Sequence, residues 1–296
     1  MRDDFTLDED SRDDEFYHAG TRGGLGTSRD HQASAAQGGS QRSAVSTGDY
    51  LAGTYEPYAR YSSASLEKLL NRVINSERLR PLIILDLGVG TGVPGKIVSR
   101  VCPGAQLIGV DTSREMLRGA ADCYVYGHRL LQADAATLPI RHATADLIYS
   151  VSAFHLFGDK LTSLTEMRRV ARADGKILII DVTPEDLAMQ LFHRYFPSFH
   201  AIESARHVDA SQLAHMAAAI GLHLTKTVRE PFSVLFPTIE HFLSFVSTRP
   251  FFGMREVPIT TFEDEVRNCV RQLRGVVGPI VSRSALTAFV LEGDYR

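Results

Sequence analysis

The chain has 296 residues, of which 44% are apolar and 23% are charged, and its net charge is −3. These values fit one large α/β domain with extensions. Nucleic acid is not an expected partner, because no dense stretch of Lys and Arg is present. No apolar run approaches the ~20 residues that span a bilayer, and no secretory signal is visible. The three cysteines are too scattered for a disulfide framework or a Cys-x-x-Cys metal site. We therefore expect a cytoplasmic protein.

Residues 1–49 differ in composition from the rest of the chain. Acidic residues dominate their beginning, and a Gly/Ser/Gln/Ala-rich run extends from Gly20 to Gly48. Such a segment buries too little apolar surface to offset the entropy of ordering it, which predicts a flexible tail. The alternative is an arm around Phe16-Tyr17-His18 that folds over a pocket or joins two subunits into a homo-oligomer. Residues 50–296 are predicted to form one domain.

The first predicted elements are a helix and a buried strand. Apolar residues recur at helical spacing from Leu66 to Ile74, with Ser63 as a candidate N-cap. The apolar run from Ile83 to Leu87 is typical of a strand that is buried on both faces. It ends in Gly88-Val89-Gly90-Thr91-Gly92, where the missing Cβ atoms allow a tight turn and a close approach of a ligand to the backbone.

Strands and helices then alternate. The predicted strands are 106–110, 128–131, 146–151 and 176–181, with helices that begin near Ser113 and at Asp159. This order predicts a doubly wound, mostly parallel sheet. Right-handed crossovers would bring the carboxyl ends of its strands to one rim, where ligands bind in open α/β sheets. Gly88, Gly90, Gly92, Asp111, Asp134 and Ser150 should all lie on that rim.

The last third of the chain is rich in aromatic residues. Asp209 and Gln212 resemble a capping box at the start of a helix. Strands are expected at 222–228 and 284–291, and helices at 238–246 and 261–273. Residues 184–207 and 231–283 are expected to contain helical insertions that cover the rim and form an acceptor pocket.

Two ligands are compatible with the glycine turn. Residues 90–95 satisfy G-x-G-x-x-G, the dinucleotide fingerprint, with Asp111 at a suitable distance for a ribose. A nicotinamide-dependent oxidoreductase is therefore an alternative, although no Tyr-x-x-x-Lys pair follows the fourth strand. The other interpretation uses Asp86 together with the glycines at positions 88, 90 and 92.

This second pattern, Asp86-Leu87-Gly88-Val89-Gly90-Thr91-Gly92, resembles the nucleotide loop of the class I (Rossmann-like) S-adenosylmethionine-dependent methyltransferases. Four later stretches resemble the family's subsequent motifs, in the right order: residues 109–117, 132–139, 146–150 and 164–181. The resemblance implies a seven-stranded sheet whose last strand is antiparallel. It also implies S-adenosylmethionine as the cofactor.

The resemblance assigns roles to individual residues. Asp111 would accept hydrogen bonds from the ribose hydroxyls, Asp134 from the adenine amine, and Asp86 would lie near the cofactor's ammonium group. The other residues implied in cofactor binding are the three glycines and Tyr58, Thr112, Met116, Ala135 and Ser150.

Methyl transfer from a sulfonium needs orientation and shielding, and it needs a base only where the acceptor loses a proton. His155, just past the fourth strand, is the candidate base, although packing among aromatic residues is an equally good account of it. No metal-ligand spacing is present.

Aromatic residues just after the fourth strand and in the two insertions most often serve ordinary helix packing, but collectively they favour a hydrophobic small-molecule acceptor: Phe154, Phe157, Phe192, Tyr195, Phe196, Phe199, Phe232 and Phe236. The resemblance to the quinone, polyketide and terpenoid branch of the family favours O- or C-methylation. A cofactor-binding partner subunit without catalysis is a third possibility.

Overall fold

The computed structural model describes residues 16–17, 52–77, 79–124 and 129–293, and for residues 16–17 and 52–62 the backbone alone. Eight strands form one sheet: β1 (Phe16–Tyr17), β2 (Ile83–Leu87), β3 (Gln106–Asp111), β4 (Arg129–Gln132), β5 (Ala145–Val151), β6 (Ala171–Asp181), β7 (Leu222–Phe236) and β8 (Ile280–Gly293). Their order is β1-β4-β3-β2-β5-β6-β8-β7. The pairs among β2 to β6 are parallel, whereas β8 is antiparallel to both of its neighbours. The predicted mixed sheet with an antiparallel last strand is confirmed.

Eleven helices are described: α1 (Ala52–Ser76), α2 (Val93–Val101), α3 (Arg114–Ala120), α4 (Lys160–Val170), α5 (Pro184–Met189), α6 (Leu191–Tyr195), α7 (Pro197–Arg206), α8 (Ala210–Ala219), α9 (Ile239–Ser247), α10 (Phe252–Glu256) and α11 (Ile259–Gln272). A single 3₁₀ turn at Phe154–Leu156 follows β5.

The two faces of the sheet are covered by different helices. Successive residues of β2 point to opposite faces, so that Ile84 packs in one apolar cluster and Leu85 in the other. The first cluster includes apolar residues of α1 and α2. The second includes Leu164 of α4 and Leu213 of α8. Both faces of the central strands are therefore buried, which explains their apolar sequences.

Side-chain capping starts three of the predicted helices. The Ser113 hydroxyl accepts a hydrogen bond from the Met116 N–H at the start of α3. Asp159 does the same for Thr162 in α4. Asp209 and Gln212 form the predicted capping box of α8. These caps fix where each helix begins relative to the strand before it.

Three predicted boundaries are wrong. Helix α1 begins at Ala52, so Ser63 lies inside the helix and is not its N-cap. Strand β7 continues to Phe236 instead of ending at Val228, and it therefore includes the first residues of the second expected insertion. Strand β6 begins at Ala171, with a register irregularity before Lys176 where a separate turn was expected.

Strand β1 falls on the predicted N-terminal arm. Its backbone pairs antiparallel with β4, with Phe16 opposite Leu131 and Tyr17 opposite Leu130. The remainder of residues 1–49, including His18, lies outside the described residues. A role of the arm in joining subunits stays a prediction.

The helices of residues 184–206 and 239–272 pack against each other over the rim of the sheet. The ring of Phe192 in α6 lies at the centre of this contact between helices. Its centroid is 5.7 Å from that of Phe242, 5.7 Å from that of Phe245 and 5.1 Å from that of Phe251. Among the described helices, none has the length and apolar character needed to cross a membrane.

Candidate functional site

The glycine turn after β2 has the backbone that its sequence predicts. Gly88, Gly90 and Gly92 have φ angles of +74°, +55° and +82°, a region that residues with a Cβ rarely adopt. A Cβ on Gly88 would lie 2.4 Å from the Cβ of Ala153, and one on Gly92 would lie 2.8 Å from the Cβ of Cys123. Gly88 and Gly90 line a cavity at the rim, whereas Gly92 does not. Gly92 instead allows the start of α2 to pack closely.

Asp111, the last residue of β3, holds this turn in place. Its Oδ2 accepts a hydrogen bond from the Gly90 N–H at 2.9 Å, and its Oδ1 accepts one from the Ser113 N–H at 2.9 Å. Burial raises the pKa of the Asp111 carboxyl, although the backbone donors oppose that shift. The carboxylate lines the cavity. A carboxylate has about four lone-pair sites, and the backbone donors leave room for a further one such as a ribose hydroxyl.

The wall of the cavity next to Asp111 contains four more of the predicted residues. Thr112 and Met116 come from the start of α3, and Asp134 and Ala135 follow β4. The Asp134 Oδ1 accepts a hydrogen bond from the Ala136 N–H at 2.8 Å, which fixes the carboxylate at the end of the strand. The structure therefore brings the predicted adenosine-binding residues onto one surface.

Asp86 lies behind this surface and does not line the cavity. Its Oδ2 accepts hydrogen bonds from the hydroxyls of Tyr124, at 2.5 Å, and Tyr149, at 2.6 Å. Burial raises the pKa of the Asp86 carboxyl to about 7, against the opposing effect of the two tyrosines. The structure thus places Asp86 in a buried polar network instead of directly on the predicted ammonium site.

Two glycines make room for this network. A Cβ on Gly95 would lie 2.5 Å from the Tyr124 hydroxyl, and one on Gly109 would lie 2.8 Å from Leu130 and 3.0 Å from the Tyr124 ring. Gly95 is the last glycine of the G-x-G-x-x-G pattern that favoured a dinucleotide. Packing against Tyr124 explains why position 95 is a glycine, so this residue is not evidence for a dinucleotide.

Two further predicted cofactor residues are not on the cavity wall. Ser150 is fully buried within β5, and among its neighbours along the strand it is Val151 and Ser152 that line the cavity. The Ser150 side chain therefore does not line the cavity, and its role in cofactor binding stays a prediction. Tyr58 falls in α1, and its side chain lies outside the described residues.

The cavity has a volume of about 500 Å³ and extends from the glycine turn to a second end that is lined by acidic and histidine side chains. This end lies beneath the helices of residues 184–206 and 239–272, which form a lid over the rim. His155 lies at this end, in the 3₁₀ turn after β5. Its Nδ1 is 2.9 Å from Oδ2 of Asp181, the last residue of β6. An N–H at Nδ1 donates to the carboxylate and leaves the lone pair of Nε2 to accept a proton. The structure therefore gives the predicted base an anionic partner.

A second histidine stacks on His155. The rings of His155 and His207 have centroids 4.1 Å apart and planes 14° from parallel. The His207 Nδ1 is 2.9 Å from the Glu203 backbone oxygen, to which it donates, and its Nε2 is 3.5 Å from Asp181 Oδ1. Burial alone would raise the pKa of Asp181, but the two imidazoles hold it well below its ordinary value. Burial disfavours charge on His207 in the same way, and Asp181 outweighs it and raises the His207 pKa.

His155, Asp181 and His207 offer three possible metal-ligand atoms within 4.8 Å of one another. A metal ion binds an imidazole in the plane of the ring, along the nitrogen lone pair. Because the two rings are stacked almost parallel, their lone pairs do not converge on one point. The arrangement suits a carboxylate that bridges two imidazoles through protons, and it does not suit a shared metal ligand set.

Two more buried polar side chains line the same end of the cavity. Glu203 of α7 has an Oε2 that lies 4.0 Å from His155 Nε2 and 3.9 Å from His207 Nδ1. His193 of α6 stacks on Phe199, with centroids 4.5 Å apart. Burial lowers the pKa of His193 to about 3, with a smaller contribution from the neighbouring histidines, so this ring is neutral near pH 7.

Most of the aromatic residues predicted to form an acceptor pocket do not line the cavity. Of the predicted set, only Phe157 and Phe199 do so, and they are joined by Phe251 and Phe252. The remaining members pack in the lid and in the cores on both faces of the sheet: Phe154, Phe192, Tyr195, Phe196, Phe232 and Phe236. These six fill space between elements, which is the ordinary packing role that the sequence also allowed for them.

The comparisons with known proteins agree with this geometry. A family model described as a methyltransferase domain matches residues 85–179, from β2 into β6. Demethylmenaquinone methyltransferase of Thermotoga maritima is 28% identical over 149 residues, which are 50% of this chain and 65% of that protein. Malonyl-[acyl-carrier protein] O-methyltransferase of Geobacter sulfurreducens is 32% identical over 126 residues, which are 42% of this chain and 47% of that protein.

Residues 85–179 therefore form a methyltransferase domain of the class I type. The match covers about half to two thirds of the length of these curated relatives. A solved structure extends the likeness in fold beyond the matched segment. The YcgJ protein of Bacillus subtilis superposes with a TM-score of 0.55 at 21% identity, over 78% of this chain and 99% of that one.

Several polar residues of the methyltransferase domain's site have no motif of their own in the sequence. Asp181 carried one usable signal, because it ends a predicted strand at the carboxyl rim, where the other acidic residues lie. Glu203 and His207 carried none, since their position depends on how α7 packs over the sheet. Tyr124 and Tyr149 are buried partners of Asp86 that only the tertiary structure brings together.

Proposed function

We propose that this chain transfers a methyl group from S-adenosylmethionine to a small molecule that binds in the same cavity. The observation that carries the proposal is the continuity of one cavity. The glycine turn, Asp111 and Asp134 form one end, and the His155–Asp181 pair forms the other. A nucleotide-binding surface is thereby joined to a proton-accepting group.

The glycine turn is better suited to S-adenosylmethionine than to a dinucleotide. A pyrophosphate would need free N–H groups or cations. The Gly90 N–H already donates to Asp111, and the N–H groups of Gly88 and Val89 both donate to the Val110 oxygen. Pro94 removes another donor from the first turn of α2. None of the described residues that line the cavity is Lys or Arg.

The residues at the nucleotide end match the needs of the cofactor. Asp111 would hold the ribose hydroxyls, Asp134 and the Ala135 N–H would hold the adenine edge, and Met116 with Thr112 would flank the ring. When bound, S-adenosylmethionine supplies an electrophilic methyl group on a sulfonium. Asp86 would act from behind the surface, through its tyrosine network.

The other end of the cavity suits an acceptor that loses a proton. His155 would take that proton at Nε2, and Asp181 would orient the ring and stabilise the imidazolium that forms. Phe157, Phe199 and Phe251 would contact an apolar body of the acceptor, and they help to exclude water. We expect this reaction to take place in the cytoplasm, on a hydrophobic small molecule of the quinone or secondary-metabolite kind.

The test is turnover. The purified chain is incubated with S-adenosylmethionine and a panel of aromatic hydroxyl, amine and activated-carbon acceptors, and S-adenosylhomocysteine is quantified by mass spectrometry. The proposal predicts release of S-adenosylhomocysteine that depends on the acceptor and is lost in His155→Gln. Binding of S-adenosylhomocysteine without turnover of any acceptor would instead favour a partner subunit without catalysis.

A further inference from the structure

Glu203 is the polar group of the cavity that the proposed reaction leaves without a role. The residue as a whole is 6% exposed, yet it lines the cavity. Its Oε1 is buried and has no hydrogen-bond partner among the described residues. Its Oε2 has only imidazole nitrogens near it, at 3.9 and 4.0 Å, so neither oxygen accepts a hydrogen bond from the described residues. A buried carboxylate without matched donors is costly, so it calls for a functional explanation.

The neighbouring groups compensate Glu203 only weakly. The Arg206 Nη1 lies 3.5 Å from Oε1, beyond an ordinary charged hydrogen bond, and it too is without a hydrogen-bond partner in the described part of the chain. The other end of the Arg206 guanidinium is held by Glu256. By contrast, Asp181 has an imidazole at each of its oxygens. Of the two carboxylates at this end of the cavity, Glu203 is therefore the one that lacks a matched donor.

The second oxygen of Glu203 faces the candidate base. Its Oε2 is 4.0 Å from the Nε2 of His155, which is too far for a direct hydrogen bond. One amine nitrogen can lie about 2.9 Å from both acceptor atoms and donate one N–H to each of them. This is possible because the two N–H bonds of an amine diverge at roughly the tetrahedral angle. A hydroxyl has one hydrogen and satisfies only one of the two acceptors.

The charge of the cavity points in the same direction. Its acceptor end holds the carboxylates of Asp181 and Glu203, and no Lys or Arg lies among the described lining residues. Beyond the lining, the Arg206 guanidinium balances Glu203 only in part, since its Nη1 lies 3.5 Å from Oε1. Asp181 is paired with two imidazoles, and the neutral ring of His193 adds no charge. A group that becomes positively charged is favoured here, and an anionic acceptor is not.

We propose that the methyl acceptor is an amine whose nitrogen donates one N–H to Glu203 and one to His155. This inference rests on the proposed methyl transfer and departs from the O- or C-methylation that the sequence favoured. An alkylamine that is an ammonium ion in solution first releases one proton to bulk water. The neutral amine that remains keeps its lone pair free when both N–H groups are engaged. That lone pair forms the new N–C bond as the sulfonium C–S bond breaks, with the electron pair of that bond remaining on sulfur.

Positive charge then develops on the nitrogen, next to the Glu203 carboxylate. One N–H proton passes to His155 Nε2, which leaves a neutral, methylated amine and an imidazolium paired with Asp181. Glu203 is thus both the group that selects an amine and the group that stabilises the charge formed in the reaction.

The test compares matched acceptors that differ only in the reacting group. The pairs are benzylamine and benzyl alcohol, 2-phenylethylamine and 2-phenylethanol, and tryptamine and tryptophol. Affinity for the full chain saturated with S-adenosylhomocysteine is measured by calorimetry at pH 8, and turnover is measured with S-adenosylmethionine. The proposal predicts that, in at least one pair, the amine binds tenfold or more tightly than its alcohol and is the member that is methylated.

Glu203→Gln removes the charge with little change in shape, and Glu256→Gln is the matched control on the same arginine, away from the cavity. The first should reduce the preference for the amine at least tenfold without changing affinity for S-adenosylhomocysteine, and the second should leave both within twofold. The preference of the wild type for an amine over its matched alcohol tests the proposal even if a variant does not fold.

The inference is overturned if no amine in the panel exceeds its alcohol tenfold, or if a folded Glu203→Gln retains the preference. These failures differ from failure of the proposed function. A chain that does not bind S-adenosylhomocysteine contradicts methyl transfer altogether, whereas a chain that binds it and methylates an alcohol contradicts only the amine.

Discussion

Asp111 joins the backbone of the glycine turn to the cofactor surface, and both of its oxygens take part. In Asp111→Asn one oxygen becomes an NH₂ group, which would face either the Gly90 or the Ser113 N–H and repel it. We expect the affinity for S-adenosylhomocysteine to fall at least tenfold, equivalent to about 1.4 kcal/mol, because the turn loosens and a ribose acceptor is lost. Isothermal titration calorimetry measures this. The exposed Asp122→Asn should bind as the wild type does, and an unchanged affinity in Asp111→Asn would refute the assigned site geometry.

His155 is the residue at which chemistry is expected. Replacing it by Gln keeps a polar side chain of similar length but removes the proton-accepting nitrogen. We predict a fall in kcat of about 100-fold or more, the usual contribution of a positioned base, with affinity for S-adenosylhomocysteine retained. Asp181→Asn should also lower kcat, since the ring would lose its anionic partner. The solvent-exposed His215→Gln serves as control. A full rate in His155→Gln would mean that the residue only packs against the acceptor.

At the scale of elements, the turn between β2 and α2 tolerates little change. Gly88→Ala would combine a φ of +74° with a Cβ placed 2.4 Å from that of Ala153. We expect destabilisation of about 1–3 kcal/mol and loss of S-adenosylhomocysteine binding, because the turn or the loop after β5 must move. Urea unfolding and calorimetry measure the two effects. Gly293→Ala, where a Cβ lies 3.9 Å from Leu222 and outside the cavity lining, should change neither. Wild-type behaviour of Gly88→Ala would contradict the close packing of these loops.

The elements also show how much of the fold the sequence could predict. The central strands were predictable because both of their faces are buried, which leaves an apolar run between glycines and acidic residues. The start of α1 was not, since Pro57 inside its first turns reads as a helix breaker. The length of β7 was not predictable either. Arg229, Glu230 and Pro231 interrupt its apolar pattern, and an edge strand tolerates them because one of its sides faces solvent.

The same contrast holds for the candidate site. Its nucleotide end comes from residues that directly follow parallel strands, so chain order alone placed Gly88, Asp111 and Asp134 together. The acceptor end comes from helices that pack over the rim. Tertiary contacts bring Glu203 and His207 to this end, and such contacts produce no recognisable pattern of residues in the sequence. The burial of the Ser150 side chain away from the cavity depends on the direction in which that strand residue points, which chain order alone does not give.

At the scale of the whole molecule, the buried Asp86 should make stability depend on pH. Its pKa rises from an ordinary 3.8 to about 7 on folding, chiefly through burial, so the folded state holds a proton that the unfolded state releases between these values. The contribution of this group to stability is therefore largest at low pH and is lost as pH rises from about 4 to 7. Tyr124 and Tyr149, whose pKa values are raised by burial, stay protonated throughout.

Asp86→Asn should remove this dependence. We expect the wild type to lose on the order of 2 kcal/mol more unfolding free energy than the variant between pH 5 and pH 8, as measured by urea denaturation at each pH. The exposed Asp264→Asn should follow the wild type. If Asp86→Asn shows the same slope as the wild type, Asp86 does not titrate in this range.

The central claim is that the cavity at the carboxyl rim binds S-adenosylmethionine and not a dinucleotide. Its most direct test is calorimetric titration of the full chain with S-adenosylhomocysteine, and separately with NAD⁺ and NADP⁺. The structure predicts saturable one-to-one binding of S-adenosylhomocysteine and none of either dinucleotide. The N–H groups of Gly88, Val89 and Gly90 are already engaged, and the described lining has no Lys or Arg. Binding of NAD⁺ or NADP⁺ without binding of S-adenosylhomocysteine would contradict it.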